Sequence, residues 1–111
     1  MNIYDTANRL AYEIKQSAEY IDYKNLKKEV NEKPQLKEKL DKFEALRYEV
    51  QLMVIQGGKQ DNEKAVEMQK LYAELIQDEA MKKYFDAELK FNVLLTDVNK
   101  IIGEAVQDLI K

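Results

Sequence analysis

From Tyr84 to Leu109 the chain repeats one spacing without a slip. Tyr84, Glu88, Phe91, Leu95, Val98, Ile102, Ala105 and Leu109 follow each other at alternating intervals of four and three. A strand alternates every second residue, so only a helix gathers these positions on one side. The pattern is a heptad repeat sustained over nearly four heptads. Leu94, Ile101 and Ile110 widen it beyond a bare coiled-coil seam. A helix from Glu79 to about Leu109, with Asp78 as its N-cap, would be about 46 Å long. A compact chain of this size has a diameter of only about 34 Å. Such a helix therefore either breaks, with Gly103 the natural place, or carries its apolar end onto another chain. The second outcome is the expected one, because Ile101, Ile102, Val106, Leu109 and Ile110 are too apolar to leave in water. The candidate oligomer interface is Phe91, Leu95, Val98, Ile102, Ala105 and Leu109.

The rest of the chain reads the same way. With Gly 3 and Pro 1 in 111 residues, the turns that a sandwich or barrel consumes are missing. A first helix is expected from an N-cap near Asp5, with Ala7, Leu10, Ala11, Ile14 and Ala18 on one face. Ser17 is a candidate cap for a second segment through Tyr20, Tyr23, Leu26 or Lys27, and Val30. Residues 5–31 fit either one bent helix or two. Pro34 disfavours helix at Lys33 and suits the first turn of a new one. The third helix then carries Leu36, Leu40, Phe43, Leu46, Val50, Met53 and Val54 to about Gln56, where Gly57-Gly58 ends it. Asp61 or Asn62 would cap a fourth, with Ala65, Met68, Leu71, Tyr72, Leu75 and Ile76. The expectation is all-α: an antiparallel, dimer-forming bundle of about four to five helices in a single domain, 1–111. Its two long helices run over about 34–56 and 79–109.

Composition removes whole classes of chemistry. The chain has no His, no Cys and no Trp. Ser-His-Asp and Cys-His nucleophile systems are therefore impossible, as are zinc fingers, thiolate iron–sulfur ligation and an imidazole for haem. Disulfides are impossible too, which fits a reducing cytoplasm. No window resembles a membrane span, and Met1-Asn2-Ile3-Tyr4-Asp5 lacks the basic and apolar regions of a secretory signal. The expected localisation is cytoplasmic, with no membrane partner and no cofactor. Lys+Arg 18 against Asp+Glu 21 leaves a net charge of -3 with the signs interleaved. The densest basic stretch, Lys24 to Lys42, is broken by Glu29, Glu32, Glu38 and Asp41 and reads as a solvated helix face. An RNA-associated adaptor using these lysine-rich helices, 24–42, is the alternative function. Duplex binding is not expected without a basic stripe.

The remaining constellations have structural readings. Gly57-Gly58-Lys59 lacks the first glycine and the hydroxyl of a phosphate loop, since Met53 and Gln60 stand there. Asp78, Glu79, Asp86 and Glu88 lack the histidines of a di-iron bundle and suit helix starts and solvent. No catalytic, cofactor-binding or metal-ligating residue is therefore assigned. Glu88 and Arg47 interrupt apolar stripes; they either form a polar pair that fixes register or extend to solvent at the stripe edge. Seven tyrosines are many, and boundary packing or a protein interface explains them more simply than base stacking.

Four segments together resemble the YlbF/YmcA family of small helical bacterial proteins, closest to its short YheA-like members. They are Asn2-Ile3-Tyr4-Asp5-Thr6-Ala7-Asn8-Arg9-Leu10, Tyr20-x-x-Tyr23-Lys24, Phe43-x-x-Leu46-Arg47-x-x-Val50-Gln51, and Leu94-Leu95-x-x-Val98-Asn99-Lys100-Ile101-Ile102. None is a catalytic motif; order and spacing carry the likeness over almost the whole chain. The resemblance implies an all-α, non-enzymatic cytoplasmic accessory subunit that self-associates through its long helices and meets other regulatory proteins. Relatives are linked to competence, sporulation and biofilm development, and to partners that influence mRNA processing by an endoribonuclease. Some carry C-terminal cysteines that bind iron–sulfur clusters. This sequence has no cysteine, so that property does not carry over.

Overall fold

The computed structural model describes residues 2–57 and 62–110, and these are helical with no strand among them. The element order is α1 (Ile3–Gln16), α2 (Ala18–Asn31), α3 (Pro34–Ile55), α4 (Asn62–Leu75), α5 (Glu79–Ala105) and α6 (Gln107–Ile110). The expected fourth-helix cap at Asp61 or Asn62 and the expected Gly58 turn lie outside the described residues and side chains.

Local chemistry sets the boundaries. The first helix begins at Ile3, earlier than the expected Asp5 cap. Asn2 has extended backbone, and its Oδ1 accepts the amides of Tyr4 at 2.9 Å and Asp5 at 3.3 Å. Asp5 instead sits in the first turn, where its charge suits the positive end of the helix. Residues 5–31 are two helices. Ser17 breaks them apart with ψ 149; its hydroxyl donates to the Ile14 carbonyl at 2.6 Å and accepts the Tyr20 amide at 3.2 Å. The same side chain thus closes α1 and opens α2. Lys33 takes the extended geometry that a following proline demands, and Pro34 occupies the first turn of α3. That helix ends with Gly57 at φ 68, the left-handed conformation expected of a glycine there. Asp78 Oδ1 accepts the amides of Ala80 and Met81 at 2.9 and 3.2 Å and starts α5.

The expected helix over 79–109 is shorter. It stops at Ala105, and a four-residue α6 follows. Val106 N–H bonds the Gly103 carbonyl and Leu109 N–H bonds the Val106 carbonyl, so the chain tightens into turns of three residues. Gly103, three residues before the break, is the weakest helix former in the segment. The 27 residues of α5 still extend about 40 Å.

Contacts divide the chain into two compact units: Met1–Leu26 with Tyr84–Lys111, and Lys27–Lys83. The second holds most of the core: Val30, Leu40, Phe43, Leu46, Leu75, Ala80 and Met81 are buried there. Phe43 meets Tyr72 with ring centroids 5.8 Å apart, and the Arg47 guanidinium lies 5.4 Å from the Phe43 ring. Ion pairs run along α3 and its neighbours: Lys33–Asp78, Lys39–Glu74, Lys42–Glu67 and Glu49–Lys64. Partners descend along the chain as α3 ascends, so α3 and α4 are antiparallel. In the first unit Tyr84 and Ala87 are buried, both near the unit's own start on α5.

Candidate functional site

The first unit is built on an aromatic clasp. Tyr20 meets Phe91 edge-on at 6.0 Å, and Tyr23 meets Phe91 at 5.6 Å and Tyr84 at 5.4 Å. Tyr23 lies further along α2 and reaches the earlier residue of α5, so these helices run antiparallel. The Tyr23 hydroxyl donates to Glu88 Oε2 at 3.3 Å. That bond explains how a carboxylate sits inside an apolar stripe: it accepts from a tyrosine hydroxyl that packs against the stripe.

Past the clasp the cover runs out. Leu94, Leu95 and Val98 are half-buried. Ile101 is 69% exposed, Ile102 52%, Leu109 80% and Ile110 76%. Helix α1 is strongly amphipathic, yet none of its residues is buried, and Ile3 is 80% exposed. Leu10 and Ile14 are half-buried. The sequence marks the α1 stripe as a helix face to be packed; that its cover within the chain is partial, at Leu10 and Ile14 alone, has no signal in the sequence. The unit therefore presents a broad, weakly charged apolar surface on two helices.

The expected site residues fall as follows. Phe91, Leu95 and Val98 are half-buried, and Phe91 is engaged by Tyr20 and Tyr23. Ile102, Ala105 and Leu109 are exposed. Arg47 stacks over Phe43 in one unit, and Glu88 accepts from Tyr23 in the other. Their expected pairing with each other rests on the sequence alone. Asp78 caps α5 and meets Lys33, and Asp86 pairs with Lys90 at 3.2 Å one turn on. Among the described residues no group of three or more acidic side chains could hold a metal ion. Lys33, Lys39 and Lys42, three lysines of the basic stretch, face carboxylates. The grooves beside them are open; one of about 610 Å³ is lined by Pro34, Leu36, Lys39 and Asp78 among others. A mixed-charge, open groove of this kind holds no nucleophile with an adjacent base. The tyrosines divide: Tyr84 is buried, Tyr20 and Tyr23 form the clasp, and Tyr4, Tyr12 and Tyr48 are exposed.

A family model described as control of competence regulator ComK, YlbF/YmcA, matches residues 3–107. The chain belongs to the YlbF/YmcA family. This YlbF/YmcA protein is 36% identical over 104 residues to a UPF0342 protein of Symbiobacterium thermophilum, covering 94% of this chain and 93% of that one. It is 32% identical over 109 residues to a UPF0342 protein of Bacillus licheniformis, covering 98% and 93%. A UPF0342 protein of Desulfitobacterium hafniense is 33% identical over 115 residues, covering 99% and 89%. Like the sequence, the structure of this YlbF/YmcA protein contains no helix, among the described residues, long and apolar enough to cross a membrane. The family description is regulatory.

Proposed function

We propose that this protein is a non-enzymatic regulatory accessory subunit of the cytoplasm, working by binding proteins and first of all a second copy of itself. One observation carries the reading. The end of α5 and α6 leaves Ile101, Ile102, Leu109 and Ile110 more than half exposed in one continuous stretch. Isolated exposed apolar residues are ordinary, whereas a contiguous apolar surface marks an interaction site. The self-association surface is the stripe of Phe91, Leu95, Val98, Ile102 and Ala105 on α5 with Leu109 on α6, its distal half doing the docking. The family's description as control of the competence regulator ComK supports regulatory proteins as further partners. The chain uses no cofactor or metal in this role. Ion pairing of Lys33, Lys39 and Lys42 favours a protein partner over RNA, since those charges are already opposed by carboxylates.

Sedimentation equilibrium tests the reading. The protein is expected to be a dimer or larger at micromolar concentration, and Ile102→Glu/Leu109→Glu to be a folded monomer. Both residues are exposed in the chain, so the substitutions leave its own packing intact. A wild-type protein that stays monomeric at high concentration overturns the reading.

A further inference from the structure

Helix α1 has no role in the self-association reading so far, and it is the element whose shape is least explained. Ile3, Ala7, Leu10, Ala11 and Ile14 line one side of it, yet only Leu10 and Ile14 are half-buried and the other three are exposed. Distal α5 has the matching problem in the same unit. Its stripe holds Val98, Ile101, Ile102 and Ala105, which Leu109 of α6 follows, wide enough to meet more than one neighbouring helix. The elements of that unit are α1, the start of α2, the rest of α5 and α6, and the aromatic clasp already occupies α2.

We propose that α1 is half of the homo-oligomer interface: the α1 stripe of one copy packs on the distal α5 stripe of a second copy, and reciprocally. This rests on the self-association reading and names the contact it uses. A surface that carries both stripes is complementary to itself. A two-fold axis then makes the same contact twice, which is how isologous interfaces form. The surface is right for this occupant. Ile3, Ile101, Leu109 and Ile110 are each at least 69% exposed in one chain, and these large apolar side chains on two helices are the kind of surface that a standard stable interface, ~800 Å² per partner, covers. Charge permits it as well. The polar side of α1 alternates Asp5, Arg9, Glu13 and Lys15. The residues flanking the seam are Asn92, Asn99 and Val106 on one edge and Leu94, Ile101 and a single charge, Asp108, on the other. A copy of the same surface therefore meets no block of like charge. An oppositely charged partner has nothing to recognise.

The absence of cysteine makes the test clean, because every thiol is one that is introduced. Full-length Ala7→Cys and Ile102→Cys variants are mixed under mild oxidation and resolved on a non-reducing gel. The mixture is expected to give a mixed disulfide dimer, identified by mass, in at least tenfold excess over the mixture of Ile102→Cys with Glu13→Cys, which lies off the stripe. In parallel, Ala7→Glu/Ala11→Glu is expected to weaken self-association at least tenfold by sedimentation, with far-UV circular dichroism unchanged because both alanines are exposed in the chain. A wild-type protein that self-associates, with no Ala7–Ile102 cross-link and an Ala7→Glu/Ala11→Glu variant that associates as tightly, overturns this inference while leaving α5 self-association standing. A wild-type monomer overturns both. In a doubly substituted Ala7→Cys/Ile102→Cys chain, a cross-link that forms only within one chain, as a monomer of altered mobility, also overturns the inference, because α1 would then cover its own α5.

Discussion

Two glycines sit in open space, and alanine at each should change stability in opposite directions. A Cβ added at Gly57 or at Gly103 meets no heavy atom within 4 Å, so packing contributes to neither change. What differs is the backbone. Gly57 has φ 68, where an L side chain crowds the following carbonyl and costs about 1 kcal/mol. Gly103 is inside α5, where glycine is less favourable than alanine by roughly 0.5–1 kcal/mol because the unfolded chain loses more freedom. Gly57→Ala should therefore destabilise by about 1 kcal/mol and Gly103→Ala stabilise by slightly less. For a chain of this length each kcal/mol moves Tm by roughly 4 °C. Thermal and urea unfolding followed by circular dichroism would measure both, at one fixed protein concentration because self-association makes Tm depend on it. Position 103 lies about 100° round the helix from Ile102, away from the stripe, so the added methyl leaves association alone. Shifts of the same sign in the two variants would refute the reasoning. A neutral Gly103→Ala would mean that the last turns of α5 are already open in the native state.

The other predictions address the core, the caps and the clasp. Phe43→Ala removes a buried ring that meets Tyr72 and the Arg47 guanidinium, and should cost about 3–5 kcal/mol, read as a lower urea midpoint with unchanged slope. Asp78→Ala strips the acceptor from two amides at the start of α5 and should cost about 1 kcal/mol, whereas Asp78→Asn keeps a capping oxygen and should cost little. Ser17→Ala should lose a similar amount, since one hydroxyl serves both neighbouring helices. Tyr23→Phe and Glu88→Met, singly and together, should show a coupling of roughly 0.5–1.5 kcal/mol in a double-mutant cycle; strict additivity would mean the 3.3 Å bond contributes nothing.

Positions where one residue decides the local geometry were legible in the sequence. Pro34, Gly57, Asp78 and Ser17 act within a few residues of themselves, and each marks the boundary its side chain predicts. The early start at Asn2 was missed because Asn and Asp are equally good caps and Asp5 stood nearer the apolar stripe. The end of α5 falls earlier than the apolar stripe implies, because a glycine lowers helix propensity without fixing where the break falls, and the chain turns three residues after Gly103. Periodicity found which face of each helix is apolar but not whether a neighbour covers it. Leu40, Phe43 and Leu46 have one; Ile102 and Leu109, on an equally regular stripe, do not. The carboxylate partners of Lys33, Lys39 and Lys42 were invisible for a related reason. They depend on the register of α3 against its neighbours, which no local pattern records.

That distinction between having an apolar face and having it covered gives α1 a measurable consequence. Helices near 12–15 residues are marginal in water unless an apolar face is packed, and α1 has 14 residues with none buried. Its caps at Asn2 and Ser17 hold the ends, at about 1 kcal/mol each, which is too little to protect its amides for long. In dilute protein the α1 amides should therefore exchange with solvent within about tenfold of the unstructured rate, while those of α3 around Leu40 and Phe43 open only with the whole chain. If a second copy covers α1, its protection must rise with concentration. At a protein concentration one hundred times the dissociation constant, linkage supplies about 2.7 kcal/mol, or roughly a hundredfold slower exchange. Hydrogen exchange read by mass spectrometry on peptides from α1 and α3, across a dilution series, separates the alternatives. Slow exchange in α1 that does not change with dilution would mean the helix is held within its own chain. Fast exchange that does not change with concentration would mean nothing of this protein's own kind covers it.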